Sequence, residues 1–260
     1  MPLLTGEKQL RQAARLCMRR CSAPGADGVS WADWRSGMRE RITALSAALR
    51  EGTWRPGPLR PVTITNYMGK TFPVFIPTTT DRIVHRAMRA AVEPILEARV
   101  LADWVSGYRP GRNRISSVRA AAAHLAAGRT FVADTDVRQA SAGTTAGQVT
   151  SWLAAYISDG TFLDRFGTAL AGFPEPLVPG TGLWPVLFNL RLSRVDARLG
   201  GLRVVRFADN YCAFTPSQAE ACAAASVIAA ALADEGLAPH PGKSQIRAAA
   251  NAEDLFLIEG

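Results

Sequence analysis

Two stretches of this chain place acids where a hard cation could be held. In Arg206-Phe207-Ala208-Asp209-Asn210-Tyr211-Cys212, two adjacent polar side chains, one of them an acid, sit at the tip of a hairpin pattern. Its flanks are the strand-like runs Leu202, Val204, Val205 and Cys212, Ala213, Phe214. Thr130 to Val137 reads as a second strand, and period-2 geometry puts Asp134 and Asp136 on one of its faces. Taken alone, Asp209-Asn210 is a turn, because Asp and Asn are tolerated in tight hairpin turns. Carboxylates brought together from two strands suit phosphoryl transfer, in which two divalent cations about 3.5–4 Å apart activate a hydroxyl and hold the leaving group. Magnesium takes only one or two carboxylates beside phosphate and water, so Asp136 and Asp209 suffice to begin such a site, with Asp134 a weaker third.

These acids meet only if their strands are neighbours. Helical periodicity runs over residues 7–21 and 31–51, separated by the Pro- and Gly-punctuated loop from Ala23 to Gly28. Pro61 to Thr65 and Phe72 to Pro77 flank Asn66-Tyr67-Met68-Gly69-Lys70 as a hairpin whose prolines suit exposed edges. Thr80 or Asp81 is expected to cap a helix reaching about Ala98. A basic loop over 106–113 leads into an Ala-rich helix at 114–127, and further helices are expected near 147–157, 160–171, 183–199 and 217–235. The order predicts an α+β fold, a small antiparallel sheet backed by helices. No repeat, low-complexity tail or interdomain linker stands out.

A length of 260 residues allows a sizeable core, as one large domain or two modest lobes. Thirty Lys and Arg against 22 Asp and Glu give a formal charge of +8. Arginine supplies most of the excess, which favours a phosphate-rich partner over a membrane. Four cysteines without a CxxC pair and three histidines without HExxH argue against zinc. The start lacks a basic segment with an apolar core, and no apolar run reaches about 18 residues, so a cytoplasmic setting without membrane contact is expected. The six tryptophans are expected to pack in the core, and His85 and His124 to be structural.

The ordered motifs resemble those of the reverse transcriptase family, in its bacterial group II intron-like branch, over nearly the whole chain. Pro24 to Val29 is similar to the branch's amino-terminal motif, and Arg50 to Pro56 to the lead-in to the fingers. Gly69 to Thr78 with Asp81 to Val84 resembles the fingers hairpin and its helix, and Ser106 to Arg112 the basic motif that follows. Val132 to Val137 resembles the first catalytic strand, with Asp136 at the metal position, and Phe207-Ala208-Asp209-Asn210 the aromatic-Ala-Asp-Asp turn. Gly180 to Asp196, with Asn189, resembles the helix beneath the nucleotide. Leu237 to Ser244 resembles the segment whose lysine, here Lys243, would protonate departing pyrophosphate, and Leu255 to Gly260 resembles the primer-grip hairpin.

The resemblance implies a right-hand polymerase fingers-palm domain over 1–260, with fingers over about 1–128 and palm over 129–260. It implies RNA-directed DNA synthesis with Mg²⁺ or Mn²⁺, deoxynucleoside triphosphates and an RNA or DNA template-primer. Metal would lie at Asp136 and Asp209, with Asn210 able to offer only an uncharged carbonyl oxygen. Lys70, Arg112, Ser141, Gly180 and Asn189 are the candidates for nucleotide contact. Several positions depart from the pattern. Asn210 replaces the turn's second acid, Ser141 the aromatic that excludes a ribose 2′ hydroxyl, Phe72 the arginine that reaches the triphosphate, and Pro179 the glutamine before Gly180. The sequence stops at Gly260 with no counterpart of the helical thumb, so a partner chain or oligomer is expected in its place. Three activities stay open: a polymerase of reduced activity, an impaired nucleic-acid-binding or assembly subunit, and an untemplated or ribonucleotide-tolerant nucleotidyl transferase.

Overall fold

A computed structural model describes residues 1–19, 23–65, 69 and 71–256. In chain order the elements are α1 (Pro2–Thr5), α2 (Glu7–Met18), α3 (Trp31–Ser36), α4 (Met38–Glu51), β1 (Arg60–Thr65), β2 (Thr71–Ile76), α5 (Thr79–Arg99) and α6 (Arg114–Ala126). They continue with β3 (Phe131–Arg138), α7 (Ala146–Ala154), α8 (Gly160–Ala171), α9 (Trp184–Asp196), β4 (Val204–Phe207), β5 (Asn210–Thr215) and α10 (Gln218–Ala233). Last come β6 (Ala238–Pro239), β7 (Gln245–Ala248) and α11 (Glu253–Phe256). The fold is a mixture of helix and antiparallel sheet, and it divides into two compact units.

The first unit comprises Met1–Leu96 and Gly143–Leu187. Its hairpin pairs β1 with β2 from Arg60↔Ile76 to Thr65↔Thr71, as the apolar runs predict. The turn residues 66–68 and Lys70 lie outside the described residues. The helical run expected over 31–51 is two helices: a Ser30–Asp33 capping box starts α3, and Gly37 separates it from α4. Thr78, rather than Thr80 or Asp81, caps α5, its hydroxyl accepting from the Asp81 N–H at 3.0 Å. Asp81 then turns its carboxylate to the Gly57 N–H at 2.9 Å. Of the six tryptophans expected in the core, Trp31, Trp34 and Trp54 are buried and Trp104, Trp152 and Trp184 are half-buried.

The second unit comprises Glu97–Ala142 and Phe188–Gly260. Its sheet runs β4-β5-β3, with β6 and β7 both pairing the far edge of β3. Alternation sorts the strands' side chains into two faces. On one, Val132, Val205, Cys212 and Phe214 pack with Ala121 of α6 and Leu255 and Phe256 of α11. On the other, Arg206 and Tyr211 reach Asp196 of α9. Leu255 and Phe256, expected in a strand, are helical, because two buried apolar side chains in succession close this core; residues 257–260 lie outside the described residues.

His85, on α5, is buried edge-on to Phe173 at 5.2 Å, and neither ring nitrogen has a hydrogen-bond partner among the described residues. Burial pushes its pKa from 6.5 down to about 3. The folded protein therefore keeps His85 neutral in a range where the unfolded chain takes up a proton. Its share of stability is complete above about pH 6.5 and falls as the pH drops toward 3. At pH 5 the loss reaches about 2 kcal/mol. Replacing the ring, His85→Leu, should flatten this part of the stability–pH curve in urea titrations between pH 7 and pH 5; an unchanged slope would count against a neutral, unpartnered ring.

Candidate functional site

The β3–β5 register sets the strand of Asp136 beside the hairpin whose tip carries Asp209. Asp136 stands opposite Asn210 and Asp134 opposite Cys212. The Val137 N–H donates to the Asp209 carbonyl at 3.1 Å, which ties the hairpin tip to β3 one residue beyond Asp136. The segment after β6 hangs from the same place. The His240 N–H donates to the Asp136 carbonyl at 2.7 Å, and the turn that follows closes on the His240 carbonyl through the Lys243 and Ser244 N–H groups. Lys243 Nζ then lies 3.6 Å from Asp136 Oδ2, with about half of its side chain exposed (49%). Asp136, Asp209 and Lys243 thus form one cluster with a solvent-facing cation.

Burial raises the Asp209 pKa above the ordinary carboxylate value, and the neighbouring Asp136 charge raises it further, against the pull of Lys243 and Arg206. Two acids that repel each other, one on a strand and one on the neighbouring turn, would gain from a bound cation. Among the described residues no group of three or more His, Cys, Asp or Glu side chains assembles to hold a metal.

Asp134 shares a face with Asp136 but has other partners. It is buried, pairs with Arg247 Nη2 at 2.7 Å, and accepts from Asn210 Nδ2 at 3.1 Å. The carbonyl oxygen of Asn210 accepts from the Cys212 thiol at 3.3 Å. Burial raises both the Asp134 carboxyl and the Cys212 thiol. The remaining expected residues are more dispersed. Arg112 is ion-paired with Asp103 at 2.9 Å. Ser141 lies half-buried in the turn after β3, whose Ala140 and Ala142 carbonyls accept from Arg191 at 2.9 and 2.5 Å. Asn189 is 1% exposed, donating to the Gly107 carbonyl at 2.9 Å and accepting from Arg206 at 3.1 Å.

Gly180 belongs to the first unit. Its φ of +94° suits glycine, and a Cβ there would meet the Phe75 carbonyl at 2.9 Å. Lys70 lies outside the described residues. Sequence reasoning passed over Arg206, Asp196 and Tyr211, which lie on the sheet face behind the acids, and Arg247, which pairs with Asp134 on the acids' own face. The alternation in Gln245-Ile246-Arg247-Ala248 was the available signal for Arg247.

Because the folded pKa of Asp209 is raised, the folded state holds a proton there more readily than the unfolded chain does. The ionised acid therefore destabilises the fold at neutral pH, and this cost disappears below the ordinary carboxylate range. Asp209→Asn should raise Tm at pH 7 by about 2–4 °C and by less near pH 4. A variant melting no higher than the parent at pH 7 would contradict the repulsion.

No protein-family model matches the chain. It is 35% identical to protein YkfC of Escherichia coli strain K12 over 122 residues, which are 45% of this chain and 31% of that protein. It is 32% identical to the group II intron-encoded protein LtrA of Lactococcus lactis subsp. cremoris over 108 residues, 41% of this chain and 16% of that protein. The matched segments thus span less than a third of these curated relatives. The similarity to a group II intron-encoded protein agrees in part with the resemblance read from the motifs.

Proposed function

We propose that the chain is a reverse transcriptase-like nucleotidyl transferase, extending a primer 3′ hydroxyl with deoxynucleoside triphosphates along an RNA or DNA template. The observation that carries this reading is the convergence of Asp136, Asp209 and Lys243 at the β3–β5 pairing. The partial similarity to a group II intron-encoded protein supports the same class. In this reading the second unit's sheet is the palm and the β1–β2 hairpin belongs to the fingers.

Asp136 and Asp209 would hold Mg²⁺ or Mn²⁺, as their paired carboxylates are the hard donors such ions take. When bound there, the ions supply a lowered pKa for the attacking hydroxyl and charge neutralisation for the triphosphate. Through those ions Asp136 and Asp209 would orient the reacting oxygens. Lys243, held at Asp136 by the His240 turn, has its ammonium exposed to give a proton to the leaving pyrophosphate. Lys8, Arg11, Arg15 and Arg19 border one groove along α2 and suit a nucleic-acid backbone. Nucleotide contacts from Lys70, Arg112, Ser141 and Gly180 rest on the resemblance.

One observation favours a second reading, a nucleic-acid-binding subunit without polymerisation: the amide of Asn210 is engaged by Asp134 and Cys212 and brings no charge to the acid pair. Primer extension with Mg²⁺ or Mn²⁺ separates the two. The polymerase reading expects incorporation that falls to background in Asp136→Ala and drops about 10²- to 10⁴-fold in kcat in Lys243→Ala. Incorporation that survives Asp136→Ala sinks the assignment, and salt-sensitive nucleic-acid binding with no incorporation supports the second reading.

A further inference from the structure

Arg206 is fully buried on β4, immediately before the turn that carries Asp209. Its guanidinium divides its hydrogen bonds between two tasks. Nε and Nη2 form a bidentate pair with Asp196 at 3.1 and 2.7 Å, and the Tyr211 hydroxyl donates to the same carboxylate at 2.9 Å. Nη1 points the other way, donating to the Asn189 amide oxygen at 3.1 Å and to the Ala208 carbonyl at 2.8 Å.

Ala208 has φ +55°, a left-handed conformation that costs energy for any residue with a Cβ and persists where its surroundings over-determine it. The surroundings here are specific. Asn189 donates its amide to Gly107, and a Cβ on Gly107 would stand 2.2 Å from the Ala208 nitrogen, so this backbone lies directly against the turn. The backbone of Arg206 is fixed on both sides of its Cα, its N–H to the Trp104 carbonyl and its carbonyl to the Ser106 N–H, each at 3.0 Å. One residue further on, the Asp209 carbonyl is held by Val137 of β3. The turn is thus held from behind by Arg206 and from the front by the strand that carries Asp136.

We infer that Arg206 and Asn189, braced by Asp196, are positioning residues for Asp209: by fixing the Ala208 carbonyl they set the place of the Asp209 carboxylate relative to Asp136. The inference rests on the metal reading proposed above. It gives Asn189 a task directed at Gly107 and Arg206. Mere neutralisation of Asp196 is a different role, because a lysine at 206 could pair with Asp196 but could not at the same time serve Ala208 and Asn189.

The full-length chain with Arg206→Lys or Asn189→Leu tests it, the latter leaving the Arg206–Asp196 pair in place should the former fail to fold. Three readouts are taken: thermal melting, NMR hydrogen exchange of the Val137 amide, and Mn²⁺ affinity by calorimetry. The expected result is cooperative melting, Val137 exchange about tenfold faster, and Mn²⁺ bound about 10- to 100-fold more weakly. Unchanged Val137 exchange in a folded variant overturns the inference, whatever Mn²⁺ does. A parent protein that binds no Mn²⁺ overturns the metal reading instead, and Val137 exchange still decides the positioning.

Discussion

A guanidinium with no access to water is tolerable only when its charge is balanced and its donors are used, and Arg206 meets both conditions. Asp196 supplies the charge and, through Tyr211, a link back to β5. Asn189 and the Ala208 carbonyl take the remaining Nη1 donor. Removing one member would leave a buried donor or charge without its partner, which costs far more than a single hydrogen bond is worth. The elements that carry these groups, α9, β4 and β5, are therefore tied together by this network as well as by apolar packing. The hairpin tip inherits that rigidity.

The sheet in front of the network sorts its acids by environment. Asp134 is buried and balanced by Arg247 from β7, with Asn210 adding a hydrogen bond. Asp136 has only the half-exposed Lys243 as a cation within ion-pair distance among the described residues. Asp209 has burial and a like charge against it. Three acids within two short segments thus divide into one that is buried with a guanidinium partner, one paired with a half-exposed lysine, and one set against burial and a like charge. Charge crowded at the end of paired strands agrees with the metal reading proposed above.

The acids and their strands were legible because strand periodicity and turn chemistry are local: alternation put Asp134 and Asp136 on one face, and the Asp209-Asn210 pair marked the hairpin. The longer helices were legible for the same reason, apart from the break at Gly37, where a single glycine interrupts an otherwise continuous pattern, whereas the four-residue α1 and α11 were not. What escaped was non-local. An arginine in a strand of a basic chain reads as surface charge, and nothing near Arg206 in sequence announces that Asp196, ten residues earlier, will meet it in the interior. Arg247 lies on a strand of only four residues that exists because β3 has a free edge, and Asn189 belongs to a helix whose amide partners come from Gly107 and Arg206. The division into two units interleaved along the chain is likewise a tertiary result.

The environment of Asn210 also changes how that residue reads. Set against the resemblance, it stands where the family's turn has a second acid. In space its side chain lies on the face of Asp134, 3.1 Å from a buried carboxylate that already has its one cation in Arg247. A carboxylate at 210 would turn that hydrogen bond into a repulsion between two acids at low dielectric, with a single guanidinium to balance both. The amide instead donates to Asp134 and accepts from Cys212, so that a polar pair closes the space between the sheet face and the hairpin tip. Asn210 and Arg247 are therefore consistent with each other. Together they keep Asp134 satisfied and leave the charge available at the tip to Asp136 and Asp209.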